Sequence, residues 1–498
     1  MDDKNIYDYV IVGSGITGIL AAEELISKGF TVATIDIGAD VPIENITLMK
    51  GLAKVLPKEV VAQFLRWRET KFSAGLSNGD KELFGFAALS CWIKFFKINF
   101  SGAHKIGPAV LKGGYSRVWG GVCMPSEQAE SFVSTIPCKD SGEILSDVYK
   151  YLGLQPNKSG HPENERERSS NGLTFSKPLI ANNENVSACN SCGLCLQGCP
   201  QSVIFDSSIK LQSLQNSKRY QYLTNLKALH IQETAGCSRV YCANLSAGAS
   251  CAERVVTGKK ILLAAGPLAS SEIACRSLGI TSSVGMACSG YFTAVALRTS
   301  KIKKLFGALR PKGFDGLSRI VCGDRSKKQF FLQFYSAGPI IQFYALSGRV
   351  WLRIIKKITG RILESLVIPV QGYLDSSVCQ KILVTYKSEE DAIIIATGRE
   401  SLPVGVLSSV KSSLKEEGVS LYAMKYGLPG AGYHFGCSFP MRGESSTFSS
   451  NLQGVPSGLV NTHMIDASIL PSIPAGPFTT VVLWNALRIV RELSLGSH

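Results

Sequence analysis

Residues 13–18 read Gly-Ser-Gly-Ile-Thr-Gly; they follow an apolar strand pattern at 7–12 and open an amphipathic helix that passes Glu24. Few short segments constrain a fold as tightly. In a strand–loop–helix unit of this kind, one glycine makes the tight turn and one lets the backbone approach a pyrophosphate. A third lets helix and strand pack closely. The anion sits at the helix N-terminus, where unspent N–H groups and the helix dipole favour negative charge. A second strand, 31–35, ends in Asp36, placed where an acid accepts hydrogen bonds from ribose hydroxyls. An acid there would repel the 2′-phosphate of NADP. The sequence thus predicts a Rossmann-type α/β unit that holds a dinucleotide through Gly13, Gly15, Gly18 and Asp36.

The rest of the chain must supply more than this unit. At 498 residues it holds two large domains, or two to four of roughly 100–200 residues. Apolar residues make up 45% and charged ones 18%, which excludes global disorder. Lys and Arg outnumber Asp and Glu by 53 to 38, a net charge of +15. That balance favours anionic partners: phosphates, an acidic redox protein, nucleic acid or an anionic membrane face. Nucleic acid ranks last and is not expected as a partner, because no recognisable binding module accompanies the charge.

Two uncharged runs, 329–348 and 467–487, imitate membrane spans. Gly338-Pro339 interrupts the first, and Pro471, Pro474 and Pro477 the second. The start, Met-Asp-Asp-Lys, is acidic and fits no secretory signal. A cytoplasmic setting is therefore expected, with peripheral membrane contact left open, and thiols there stay reduced. Most of the 15 cysteines then read as small buried hydrophobes.

Further along, residues 83–100 are apolar except for Lys94 and Lys97 and read as a buried helix, with a lid or membrane-touching face as the alternative. Residues 155–187 are polar and loop-like. Strands are expected at 225–233, 239–244 and 258–265, returning to the first domain. Residues 295–430 form a β-rich block, with strands at 330–335, 340–345 and 392–396 and a basic helical run at 350–366. A final helix is expected over 478–493. The resulting division is a dinucleotide-binding first part at 1–290 with a cysteine-rich insert at 185–205, a second domain at 291–444, and a return to the first domain at 445–498.

Three further segments resemble the glucose–methanol–choline oxidoreductase family. The loop 113–121, Gly-Gly-Tyr-Ser-Arg-Val-Trp-Gly-Gly, looks like its glycine-rich flavin loop, with Gly113, Gly114, Ser116, Trp119 and Gly120 as cofactor residues. Residues 262–271, including Ala265 and Gly266, look like its second signature. Residues 463–480, with Asp466, Pro477 and Phe478, look like its C-terminal flavin segment. The resemblance implies FAD as the cofactor. It also implies a Rossmann-type FAD-binding domain with an inserted α+β substrate domain built on a mixed sheet. Covalent flavin is not implied, because Arg117 and Val118 stand where members with a covalent flavin carry a His.

Oxidising an alcohol requires a base for the hydroxyl proton while hydride leaves carbon, and a neutral imidazole suits that role. Of the six His, His434 is the candidate. Its surroundings, Gly432-Tyr433-His434-Phe435-Gly436-Cys437-Ser438-Phe439-Pro440-Met441, resemble the family's His-x-x-Gly-Thr-x-x-Met site, with one residue fewer before the glycine. The alternative is a His that satisfies a buried turn. The family's usual Asn or His before the C-terminal Pro is replaced by Gly476, so a second hydrogen bond to the substrate oxygen must come from elsewhere.

Cys189-x-x-Cys192-x-x-Cys195-x-x-x-Cys199-Pro200 has the spacing of ferredoxin cluster loops. It predicts an iron–sulfur cluster, 4Fe-4S or 3Fe-4S, against three alternatives: a zinc knot, disulfides or plain thiols. Zinc sites usually show two separated Cys pairs, which this run lacks. Within the resembled family, sugar dehydrogenases pair FAD with such a cluster, whereas plant long-chain alcohol oxidases carry a similar segment without known iron. Together these features predict an FAD-dependent dehydrogenase acting on a small alcohol, favoured as a sugar or glycoconjugate hydroxyl. Its electrons would pass through the cluster to an acidic acceptor protein. The alternative is an electron-transfer or redox-sensing flavoprotein with no small substrate.

Overall fold

The strand Asp2–Val12 lies inside a sheet because its second half is apolar on both faces; Val10, Ile11 and Val12 are all buried. The structure is a computed structural model describing residues 2–52, 54, 82–83, 86–87, 95–103, 106–154, 168–170, 173–183, 189, 195, 198–246, 253–297, 318–324, 329–335, 367–387, 391–397, 403–441 and 447–496. Cys192, His104, His161, His498 and the runs 340–345 and 350–366 lie outside these residues.

The first sheet has seven strands. Asp2–Val12 pairs in parallel with Val32–Ile35 on one side and Glu253–Leu263 on the other. Tyr220–Leu223 and Thr462–Met464 extend it in parallel, and the antiparallel strands Cys237–Asn244 and Leu226–Thr234 complete it. The C-terminal segment thus returns to the N-terminal sheet, as the sequence leads one to expect. The helix Ile16–Ser27 packs beside the last helix, Thr479–Leu495. That last helix buries Trp484, whose indole N–H donates to the Ser141 carbonyl at 2.9 Å. Among the described residues no helix is long and apolar enough to cross a membrane.

Most of the remaining described β structure lies in two sheets, beside two small two-stranded ones. A five-stranded sheet is mixed: Phe435–Gly436, Val284–Cys288, Ile382–Lys387 and Ala392–Thr397 are antiparallel, and Lys97–Ser101 joins in parallel. The sheet formed largely by residues 290–426 has seven strands and is antiparallel throughout, running Leu421–Tyr426, Gly290–Leu297, Val367–Leu374, Phe330–Tyr335, Ser318–Asp324, Leu173–Ser176, Arg168–Ser170. Two of its strands come from before residue 290, so the chain enters this layer earlier than the sequence suggests.

Two expectations need correction. Residues 155–187, read as loop, contain the strands Arg168–Ser170, Leu173–Ser176 and Leu179–Ile180. The described part of 83–100 contains no helix; its end is the edge strand Lys97–Ser101, with Phe100 opposite Ile395. A continuous apolar run reads alike as buried helix or as strand, and the partner that decides the matter lies far along the chain.

The faces of the seven-stranded antiparallel sheet differ. Phe292, Ala294, Phe330, Leu332, Phe334 and Val370 bury against Val410 and Leu414 of the helix Val404–Glu416. Successive side chains alternate between faces, so Tyr291, Phe331 and Tyr373 point the other way. They pack against Val122, Ile180 and Ala475.

Candidate active site

The loop after the first strand forms the floor of a long cleft. Gly13 has φ +105°, and a Cβ on it would come within 2.5 Å of the Ala264 carbonyl oxygen. A Cβ on Gly18 would sit 2.0 Å from the Gly13 carbonyl oxygen, so this glycine allows helix and loop to touch. Gly15 differs: a Cβ there would meet nothing closer than the Ala264 oxygen at 3.9 Å. It caps the helix Ile16–Ser27 without any side-chain hydrogen bond, which leaves the first-turn N–H groups to the cleft.

The cleft is lined by Gly13, Ser14, Gly15, Asp36, Gly114, Ser116, Ala265, Gly266, Asp466 and Phe478, with Lys227, Glu272 and Phe435 further along. It encloses about 1240 Å³ of empty space, part of it open to solvent. Asp36 is buried at the end of its strand, where its carboxylate accepts from the Ser14 hydroxyl and, at 3.0 Å, from Tyr222. Burial pushes its pKa up to about 6, against the opposing pull of those hydrogen bonds. Asp466 accepts from Ser270 at 2.5 Å and from the backbone and hydroxyl of Ser468 at 2.9 and 2.6 Å. Burial raises its pKa as well.

The second glycine loop reaches the same cleft. Gly114, at φ +58°, comes so close to Gly15 that a Cβ would lie 3.2 Å from the Gly15 Cα. Gly113 donates its N–H to Ser14 at 3.1 Å, while Ser116 and Ser207 both donate to the Gly113 carbonyl, at 2.7 and 2.9 Å. A floor without side chains, an uncapped helix start and buried acids at two points suit a dinucleotide with a pyrophosphate at its middle. These residues fit FAD. Gly18, Gly113, Trp119, Gly120 and Pro477 are not among the lining residues; Trp119 instead donates to the Phe205 carbonyl at 2.8 Å.

His434 is not itself among the lining residues; it lies between the cleft-lining Phe478 and Tyr373 of the antiparallel sheet. It lies between Tyr433 and Cys437, both with left-handed backbone, at φ 57° and 58°. Its carbonyl accepts from the Ser289 N–H at 2.9 Å. Its ring stacks on Tyr373 and meets the edge of the cleft-lining Phe478, with centroids 4.7 and 4.9 Å away. Gly476 lies close by in sequence. A Cβ there would be 3.4 Å from Oε1 of Gln128, whose amide fills the space beside it. Sequence reasoning missed Gln128, Gln333, Gln371, Tyr335 and Tyr373. The available signal was the alternation in 330–335, Phe-Phe-Leu-Gln-Phe-Tyr, whose two faces differ in polarity.

Two cysteines of the run, Cys195 and Cys199, lie against the same sheet. Cys195 is buried with Ile204 and Tyr335, and Cys199 and Trp119 pack beside them. The Cys199 sulfur accepts from the Val203 N–H at 3.3 Å. Among the described residues no three His, Cys, Asp or Glu side chains are gathered so as to hold a metal ion. The positions of Cys189, Cys195 and Cys199 therefore give the expected cluster no support, and Cys192 lies outside the described residues.

No protein-family model matches the chain, and no curated protein matches it. Among solved structures, pyridoxine 4-oxidase from Mesorbium loti aligns over 99% of this chain and 100% of its own, with a TM-score of 0.52 and 13% sequence identity. At that identity the likeness is one of fold. The shared fold is an α/β one, a Rossmann-type domain joined to a second domain rich in β structure.

Proposed function

We propose that this chain is an FAD-dependent oxidoreductase that converts an alcohol, favoured as a sugar or glycoconjugate hydroxyl, to a carbonyl. The supporting observation is the position of His434, between Phe478 of the cleft and Tyr373 of the antiparallel sheet. Bound FAD supplies the acceptor for the hydride that leaves carbon. The chain's residues do the rest. His434 takes the hydroxyl proton, and Tyr373 and Phe478 fix the plane of its ring. Ser14, Asp36 and the first turn of the helix Ile16–Ser27 hold the dinucleotide. The solved neighbour is named as an oxidase, which accords with alcohol oxidation on this fold.

The proposed division of labour places residues 1–290 and 445–498 with the cofactor and 291–444 with the substrate, with Arg168–Ser170 and Leu173–Ser176 lent to the second. For the electron exit, the net charge of +15 supports an acidic acceptor protein steered by charge. The ferredoxin-like spacing supports a cluster, but the described cysteines do not. Assays of iron and acid-labile sulfide on anaerobically purified protein test the cluster directly.

The test of the reaction is flavin reduction by an alcohol without oxygen. His434→Ala should retain flavin and slow its reduction roughly 10²–10⁴-fold, the scale of a lost general base. Unchanged kinetics would favour a redox module without an alcohol substrate, the reading that the bare Gly476 position supports.

A further inference from the structure

The cleft holds two further ionisable side chains that neither a pyrophosphate nor a ribose calls for. Lys227 and Glu272 both line it, beside Ile37, Leu226 and Phe96. Backbone bonds fix where they stand. The Leu226 N–H donates to the Asp36 carbonyl, and the Asn225 N–H to that of Ile37, each at 3.1 Å. Lys227 therefore follows directly on the acid placed for ribose. Glu272 belongs to the helix Pro267–Ser277, which packs on the strand Leu226–Thr234. In a dinucleotide held with its ribose at Asp36, the group next to that ribose is the base.

Both side chains are buried, Lys227 at 7% exposure and Glu272 at 4%, and both keep hydrogen-bonding capacity. Arg276 bonds Glu272 twice, at 3.0 and 2.8 Å, but both bonds fall on Oε1. No bond to Oε2 is found among the described residues. Burial raises the pKa of Glu272, and the charges of Lys227 and Arg276 pull it back down. The Lys227 ammonium lies 4.5 Å over the Phe96 ring and 3.5 Å from Asp391, the latter too long for a good hydrogen bond. An ammonium carries three N–H donors, and no other hydrogen-bond partner for this one is found among the described residues. Arg276 also reaches Asp391, so two cations and two anions balance. That balance suits a neutral group better than another phosphate.

Buried donors and acceptors without partners are costly unless a ligand takes them. A neutral group with a donor beside an acceptor answers this arrangement. Adenine presents its N6 amino donor beside a ring-nitrogen acceptor, whereas a 6-oxopurine has an oxygen acceptor in place of the amino group. A carboxylate oxygen accepts and cannot donate, so it bonds the amino group and repels the oxygen.

We propose that Lys227 and Glu272 read the base of the bound dinucleotide. Glu272 accepts from the amino group of adenine, Lys227 donates to the adjacent ring nitrogen, and 6-oxopurines are refused. The proposal rests on the reading that the cleft holds FAD, and its test keeps the two apart. Full-length protein stripped of flavin is titrated calorimetrically with FAD, ADP and inosine diphosphate, which differs from ADP at the base alone.

ADP should bind, and inosine diphosphate at least about tenfold more weakly, the effect of one such bond replaced by repulsion. In Glu272→Gln the amide accepts from one base or donates to the other, so the ratio should fall to within about threefold. Lys227→Met keeps the apolar stem and should weaken ADP about tenfold. Equal binding of ADP and inosine diphosphate by the wild type overturns the proposal without need of a variant. So does an unchanged ratio in Glu272→Gln, or an unchanged ADP affinity in Lys227→Met. If FAD still binds in those cases, the cofactor reading stands alone. A wild-type protein that melts cooperatively yet binds neither FAD nor ADP overturns both.

Discussion

The imidazole of His434 and the phenol of Tyr373 lie nearly parallel, with planes 17° apart and centroids 4.7 Å apart. Phe478 closes on the imidazole from its edge, at 65° and 4.9 Å. One histidine is thus held between a residue of the antiparallel sheet and the residue that starts the last helix. Aromatic contacts of this kind add on the order of 1 kcal/mol beyond the area they bury, enough to hold one ring orientation.

Removing the stack should therefore cost rate without costing cofactor. Tyr373→Leu is expected to slow flavin reduction about tenfold, the effect of roughly 1.4 kcal/mol in a barrier, with flavin content unchanged. Tyr373→Phe keeps the ring and should recover most of the rate. Equal rates in the two variants would show that stacking does not position His434.

The loop glycines should separate packing from binding. Gly18→Ala forces a Cβ to 2.0 Å from a backbone oxygen and should prevent a stable fold. Gly15→Val meets no such obstacle, since that position has φ −64° and ψ 177° and opens on the cleft. It should fold and yet lose flavin. Thermal melts and the flavin absorbance of the purified variants check both expectations.

Asp36 gives a pH signature. Its folded pKa, about 6, lies above the ordinary carboxylate value of 3.8, so between these values the folded state holds a proton that the unfolded state has lost. Stability therefore falls as pH rises through that window. Asp36→Asn should raise the melting temperature of flavin-free protein at pH 7.5 by a few degrees, and this gain should vanish at about pH 3, below both pKa values. The same substitution should weaken flavin binding, because Asn offers ribose hydroxyls a poorer acceptor than a carboxylate. A pH-independent gain would contradict the assignment.

His463 shows the opposite sign. Burial lowers its pKa from 6.5 to about 4, partly offset by its bond to the Gln453 carbonyl at 2.9 Å. The unfolded state then binds the extra proton, so stability is complete above pH 6.5 and is lost as pH falls toward 4. His463→Asn should flatten that acid limb in thermal melts. It should leave flavin reduction within a factor of about three, because a His that does not meet substrate has no place in the rate.

What the sequence disclosed follows from how local each signal was. The glycine loop, Asp36 and the closing helix are short-range patterns, and the structure places Gly13, Gly15, Asp36, Asp466 and Phe478 around one cleft. His434 was singled out from the residues beside it. The strand Lys97–Ser101 was misread because its partner, Ala392–Thr397, is remote in sequence. Tyr373, Gln333 and Gln371 meet only through strand register, which no single segment reveals. The cysteine spacing could not show that Cys195 would pack with Ile204 and Tyr335.

The most direct test of the account is anaerobic flavin reduction by the alcohol that reduces it fastest, measured for wild type and for His434→Gln at equal flavin content. The account predicts a fall of roughly 10²–10⁴-fold, with the flavin spectrum and melting temperature preserved. A rate within about threefold of wild type, too small a change for a lost general base, would contradict it.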